Sequence, residues 1–218
     1  MIIVRGKRHE TIDAAAFHAL ANEHDRVVVD LGAGDGKWAL RRARANPREL
    51  VVAIEPVAEN VRESSSRAAR RPDRGGAPNA LFVQAAVEAL PGALAGMAGE
   101  LWITLPWGSL MRGIILADRT LLRGIATLLA SGARAHVTLN TRIFDDPVPA
   151  EAHDLPEVTP AYIQTLADAY ERCGLRIVHA EWLDADAVNA LGTTWAKRLS
   201  HRAPPRSVHI ELQRLPDP

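Results

Sequence analysis

The chain has 218 residues, a single cysteine (Cys173), and 26 basic against 26 acidic residues. A chain this long buries roughly 70% of its unfolded surface and needs no disulfide framework. One cysteine forms no intrachain bridge, which fits a reducing cytoplasm. No apolar run reaches the ~20 residues that span a bilayer, and the N-terminus lacks the layout of a secretion signal.

The elements follow in chain order. Residues 1–16 read as an N-terminal extension. Residues 26–31 (Arg-Val-Val-Val-Asp-Leu) form a β-branched run stopped by glycine, a buried strand. A helix is expected over 37–46 and a second buried strand over 50–55. A helix over 57–71 is broken by Pro72, and further strands follow at 80–83 and 100–105. A helix at 118–130 leads to a strand at 134–140. The stretch 141–160 holds four prolines and reads as an insertion. A helix at 160–173 stops at Gly174, and strands at 175–183 and 207–213 bracket a second insertion, 184–206. Strands alternating with helices at this spacing predict βαβ units. The expected fold is α/β, Rossmann-like: one domain over 1–218, with a mostly parallel seven-stranded sheet and an extended linker between the last two strands.

The sharpest local signal is Asp30-Leu31-Gly32-Ala33-Gly34-Asp35-Gly36-Lys37, joining a strand to a helix. A dinucleotide-binding turn has G-x-G-x-x-G with pyrophosphate over the helix N-terminus. Here the glycines run G-x-G-x-G behind an acid. An acid at Asp30 repels pyrophosphate and suits an ammonium group, the pattern of class I methyltransferases that bind S-adenosylmethionine (SAM). Glu55, with Pro56 after it, ends the next strand, where a carboxylate can accept ribose hydroxyls. Ala86-Val87-Glu88 follows the third strand, offering small residues to an adenine face. The cofactor set is therefore Asp30, Gly32, Gly34, Asp35, Glu55, Pro56, Ala86, Val87, Glu88, Leu105 and Ser109, with no metal.

Beyond the fourth strand lies Leu105-Pro106-Trp107-Gly108-Ser109. It keeps the proline and aromatic of amino-methylating loops but lacks the leading amide or acid that holds an exocyclic amine. That favours a ring nitrogen as acceptor. Thr193-Thr194-Trp195-Ala196-Lys197-Arg198, with Arg202 and Arg206 beyond, combines a stacking surface with phosphate anchors; alternatively, Trp195 is the core residue of a short helix. Trp38, Trp102 and Trp182 read as core. Only three of the 26 basic residues are lysine, an arginine bias that suits phosphate recognition or reflects a GC-rich genome. Arg67, Arg70, Arg71 and Arg74 recur at helical spacing, predicting one basic helix face.

Together these residues resemble the 16S ribosomal RNA adenine-N1 methyltransferases of the Kam and Npm type, which confer aminoglycoside resistance. The likeness runs along nearly the whole chain. It is densest at Asp30 to Lys37, Arg70 to Asn79, Pro106 to Leu110 and Trp195 to Leu199. The resemblance implies that N1 of adenine 1408 is methylated in the assembled 30S subunit. It implies that Trp107 and Trp195 sandwich the flipped base, with Thr193 positioning it. It also implies rRNA contacts at Arg70, Arg71, Arg74, Lys197, Arg198 and Arg206. A ribosome-docking face needs no partner chain, so a monomer is expected, and the cysteine count and lack of a long apolar run predict a cytoplasmic protein without membrane attachment. Glu55 stands where members carry Asp, Ser66 replaces a basic residue of some members, and Pro204-Pro205 precede Arg206 in place of basic residues. Alternatives are a transfer-RNA guanine-N7 methyltransferase and a non-catalytic SAM- or RNA-binding homologue.

Overall fold

The structure, a computed structural model, describes residues 1–141, 153–191 and 206–216. Internal contacts divide the chain into two compact units: Met1–Trp102 with Leu128–Ala130, and Ile103–Thr127 with Ser131–Pro218.

The first unit is built on strands β1 (Ile2–Arg5), β2 (Arg8–Thr11), β3 (Arg26–Leu31), β4 (Glu49–Glu55), β5 (Ala80–Gln84) and β6 (Ala98–Thr104), the last continuing into the second unit. They lie in the order β2-β1-β5-β4-β3-β6. Strands β3 to β6 run parallel, while β1 pairs antiparallel with β2 and β5. Every residue of β4 is buried, as expected of an interior strand covered on both faces. Helices α1 (Ala14–Asn22), α2 (Lys37–Ala45) and α3 (Ala58–Ala68) connect these strands. The core gathers Val28, Leu40, Val51, Val61 and Phe82, with Trp38 and Trp102 half-buried against it, as the sequence predicts.

In the second unit β7 (Leu129–Asn140), β9 (Ser207–Arg214) and β8 (Leu175–Leu183) lie in that order, all antiparallel. Helices α4 (Gly108–Ile115), α5 (Arg119–Leu128), α6 (Pro160–Thr165), α7 (Ala167–Glu171) and α8 (Ala185–Ala190) complete it. The last carbonyls of α4 lack helical partners. Two tyrosines supply them: Tyr170 donates to Ile114 O at 2.7 Å and Tyr162 to Ile115 O at 2.8 Å. Helix α6 starts on Thr159, whose hydroxyl accepts from Tyr162 N, followed by Pro160 in the first turn.

The fold class matches expectation, but the sheet has nine strands among the described residues, not seven. The two extra strands are the hairpin β1–β2, turned at Gly6-Lys7 with Gly6 at φ +62°. In the first unit the parallel strands β3 to β6 are flanked by the antiparallel β1–β2 hairpin, and in the second unit β7, β8 and β9 are antiparallel. Helix α3 ends at Ala68, three residues short of the expected end, and the 160–173 helix is two short helices. The insertion 184–206 begins with α8; residues 192–205 lie outside the described residues, as do 142–152 of the first insertion.

Two buried polar groups hold the opening of the parallel strands. Glu49 accepts from Arg26 Nε at 2.9 Å and from Arg42 Nε at 2.6 Å. The hydrogen bond from Arg42, followed by that from Arg26, holds its carboxyl below the usual range. Asn79 aims its side-chain amide at the carbonyls of Ala43, Asn46 and Glu49, at 2.9, 3.1 and 2.9 Å, tying the end of α2 to the start of β4. Asn79→Ala strands these buried carbonyls and is expected to cost about 2–3 kcal/mol. Urea unfolding followed by circular dichroism measures this as a lower midpoint at unchanged slope.

Candidate active site

The turn after β3 depends on backbone shapes that only glycine adopts readily. Gly32, Gly34 and Gly36 have φ of +74°, +55° and +65°. Gly36 opens α2, and a β-carbon there would lie 2.7 Å from the Phe82 ring. The space beside Gly34 is open, so there the requirement is conformational. Gly32 N and Ala33 N both donate to Ile54 O, at 2.9 and 3.0 Å, fastening the turn to β4.

Glu55 braces the same turn. Its Oε2 accepts from Gly34 N at 3.0 Å, and its Oε1 accepts from Asn60 Nδ2 at 2.9 Å and Val57 N at 3.3 Å. A carboxylate offers about four acceptor positions, so one remains for a hydroxyl. Asp35 accepts from Lys37 N at 3.1 Å and pairs with Lys37 Nζ at 2.9 Å, while Ser64 Oγ donates to Asp35 O.

Asp30, the last but one residue of β3, is 3% exposed, and its Oδ2 has no hydrogen-bond partner among the described residues. Burial first, then the charges of Glu55 and Asp35, lift its pKa from 3.8 to about 7, against a smaller opposing effect of Arg41. A buried, unpartnered carboxylate oxygen in a glycine-lined turn fits a ligand bearing a cation. The turn therefore fits the amino-acid end of SAM, and Glu55 fits a ribose.

After β5, Ala86 is half-buried, Val87 buried and Glu88 exposed, with Val87–Ala89 forming a single 3-10 turn. Pro56 is exposed. These residues give the first unit a small apolar ledge after β5 with the Glu88 carboxylate beside it.

In the second unit, Leu105 is buried at φ +53°, an unfavourable shape for a branched residue. Its N–H donates to Thr138 O at 2.8 Å, and its side chain packs on Val188. This fixed kink precedes Pro106 and Trp107. Trp107 starts α4 with 43% of its surface exposed, and Ser109 is exposed in the first helical turn. Thr104, whose buried Oγ1 lacks a partner among the described residues, carries no signal the sequence reading used. Thr193, Trp195, Lys197, Arg198 and Arg202 lie outside the described residues.

The arginines do not share one helix face. Arg67 is on α3, but Arg70 lies beyond its end, Arg71 is extended, and Arg74 sits in the 3-10 turn Pro72–Arg74. Pro72 and the left-handed Gly75 divert the chain from the helical path. All four side chains are exposed, Arg67 pairing with Glu63 and Arg71 with Asp73. The loop carrying them is firmly closed. Gly76 N donates to Arg71 O, Ala77 N donates to Ala68 O, and the Arg44 guanidinium caps Gly75 O. A β-carbon at Gly76 would lie 1.7 Å from Arg70 O.

Trp182, expected in the core, is 42% exposed; its indole carries the Arg206 guanidinium, 4.9 Å from the ring centroid. The apolar context of β8 suggested burial, but this residue lies near the strand end.

Comparison with known proteins gives a consistent picture. A family model described as 16S rRNA (adenine(1408)-N(1))-methyltransferase matches residues 2–214. A protein of that name from Streptoalloteichus hindustanus is 39% identical over 198 residues, 90% of this chain and 91% of the relative. One from Escherichia coli is 32% identical over 206 residues, 92% of each. The crystal structure of a tryptophan-to-alanine variant of the enzyme of that name from Catenulisporales acidiphilia, with cosubstrate SAM, superposes with a TM-score of 0.93 at 32% identity. The match covers 100% of this chain and 99% of that one. The structure of the 16S rRNA methyltransferase KamB gives 0.91 at 36% identity, covering 99% and 100%.

The raised pKa of Asp30 has a consequence for stability. The folded, unliganded chain holds this proton more tightly than the unfolded one, so the contribution of Asp30 falls as pH rises from about 4 through 7. Asp30→Asn removes that dependence. The variant is expected to gain a few kcal/mol on the wild type between pH 5 and 8, measured by urea unfolding across that range; a constant difference contradicts the titration.

Proposed function

The chain belongs to the family of 16S rRNA (adenine(1408)-N(1))-methyltransferases, and from that premise we infer that it methylates N1 of adenine 1408 with SAM as methyl donor. Its substrate is the assembled 30S subunit, it works as a monomer in the cytoplasm, and the modification gives aminoglycoside resistance. The observation that carries the reading is the buried Asp30 oxygen, unpartnered among the described residues, in a turn without the phosphate-binding pattern.

When bound, SAM supplies an electrophilic methyl group on a sulfonium. Asp30 receives the ammonium of its amino-acid end, and Gly34 leaves room for close backbone approach. The free acceptor position of Glu55 takes a ribose hydroxyl. Ala86, Val87 and Glu88 would hold the adenine ring, Asp35 and Pro56 belong to the same proposed cofactor set, and Leu105 and Ser109 are its proposed members in the second unit.

Adenine N1 has an in-plane lone pair and no proton at neutral pH, so no general base is required. The protein supplies geometry instead. Extruding the base from its helix costs a few kcal/mol. The exposed face of Trp107 stacks on the base and returns roughly 1–3 kcal/mol. Trp195 supplies the opposite face and Thr193 an orienting hydroxyl. An aromatic surface also favours the cationic 1-methyladenine product. The kink at Leu105 fixes where Trp107 departs from the strand.

Arg67 from α3, and Arg70, Arg71 and Arg74 from the closed loop after it, dock on rRNA phosphates, with Lys197, Arg198, Arg202 and Arg206 as a second proposed set. These contacts position the enzyme and do not read bases.

The direct test is incubation with radiolabelled SAM and unmodified 30S subunits, followed by primer extension. A new stop at adenine 1408 is expected; label without that stop overturns the target, and no label overturns the activity. Trp107→Ala is expected to lower kcat at least tenfold while SAM affinity by calorimetry holds within about threefold. Asp30→Ala loses SAM binding. Replacing Arg70 and Arg71 together by Ala should weaken 30S binding and reduce the slope of log affinity against log salt by about 1–2.

A further inference from the structure

Trp182 near the end of β8 keeps 42% of its surface exposed. Its backbone is fixed by the β8–β9 ladder, where Trp182 is opposite Val208 and Leu183 opposite Ser207. Arg206 precedes that ladder, two residues from Val208, and so is the diagonal neighbour of Trp182. The main chain of Arg206 is held as well. Its carbonyl accepts from Thr141 N at 3.0 Å and from Thr141 Oγ1 at 2.8 Å. Both ends of this contact therefore have little freedom.

The guanidinium stacks on the indole at 4.9 Å. Stacking engages the flat face of a guanidinium and leaves its in-plane N–H donors available. The one carboxylate near it among the described residues is Glu157, at 3.9 Å. Both partners of that pair are more than half exposed, so it contributes little and exchanges readily for another anion. The result is an arginine held over the indole, with its charge weakly committed.

We propose that Trp182 is a positioning residue for RNA binding, its indole holding the Arg206 guanidinium ready for an rRNA phosphate. The inference rests on the rRNA-methyltransferase reading and adds a residue to it. An arginine on a flexible stem loses rotamer freedom when it binds phosphate. An arginine already stacked has lost much of it before the encounter. Glu157 is displaced by the phosphate.

The test is a double-mutant cycle on binding to unmodified 30S subunits, with Trp182→Leu, Trp182→Phe, Arg206→Ala and the Trp182→Leu/Arg206→Ala pair. Trp182→Leu keeps apolar bulk and removes the aromatic face, and is expected to weaken binding about three- to tenfold. Trp182→Phe should retain most of the affinity. Arg206→Ala should weaken it about tenfold and reduce the salt slope by about one. The paired variant should match Arg206→Ala alone. Losses should appear in KM for 30S, with kcat and SAM affinity unchanged. Wild-type affinity for Trp182→Leu, or losses that multiply in the paired variant, overturns the positioning role. Failure of the wild-type protein to bind or methylate 30S overturns the rRNA reading instead.

Discussion

The bond from Gly34 N to Glu55 Oε2, 3.0 Å long, joins the turn after β3 to the end of β4. With the two bonds from Gly32 and Ala33 to Ile54 O, it fixes a backbone that is left-handed at Gly32, Gly34 and Gly36 in one arrangement. The shape of the cofactor turn follows from this anchorage. Glu55 is buried yet satisfied, because the chain itself supplies three donors. The glycine turn and the acid are thus one mechanical unit.

That anchorage leaves Asp30 as the exception. It is buried beside two other acids and has an oxygen without a partner among the described residues. Folding alone leaves such a group destabilising, and a cationic ligand relieves it. The burial that makes Asp30 costly also makes its oxygen a fit for a cation. The opposite end of the strands shows the contrast: Glu49 is equally an acid and equally buried, but two arginines bond it.

The exposed arginines follow a different logic. Their side chains stay in solvent, and order comes from the main chain beneath them. The loop after α3 is closed by Gly76 and Ala77 and capped by Arg44. Arg206 is held by Thr141 and Trp182. Both arrangements present long side chains from rigid backbone, which lowers the entropy lost on docking without burying charge.

The interior strands, the glycine turn, Asp30 and Glu55 were legible from sequence. Each rests on local rules: β-branched runs make buried strands, and glycine spacing behind an acid distinguishes one ligand from another. The Pro-Trp and Trp-Ala-Lys-Arg segments carried the family by their specificity. The β1–β2 hairpin was missed because four-residue strands with mixed polarity have no periodic signature, and pairing with β5 stabilises them. Helical spacing predicts one face for the arginines, but α3 ends at Ala68 and Pro72 starts a separate 3-10 turn. Trp182 was assigned to the core because composition reports apolarity and not exposure. Sequence alone marked the glycine turn and its acids as candidates for a cofactor and the Trp and Arg segments as candidates for base and phosphate, because chemical type and local spacing suffice to nominate them. Tertiary structure alone decided that Glu55 braces the turn, that the Asp30 oxygen lacks a partner among the described residues, and that Arg206 lies on Trp182. Those outcomes depend on contacts between segments far apart in the chain, and no local pattern encodes such contacts.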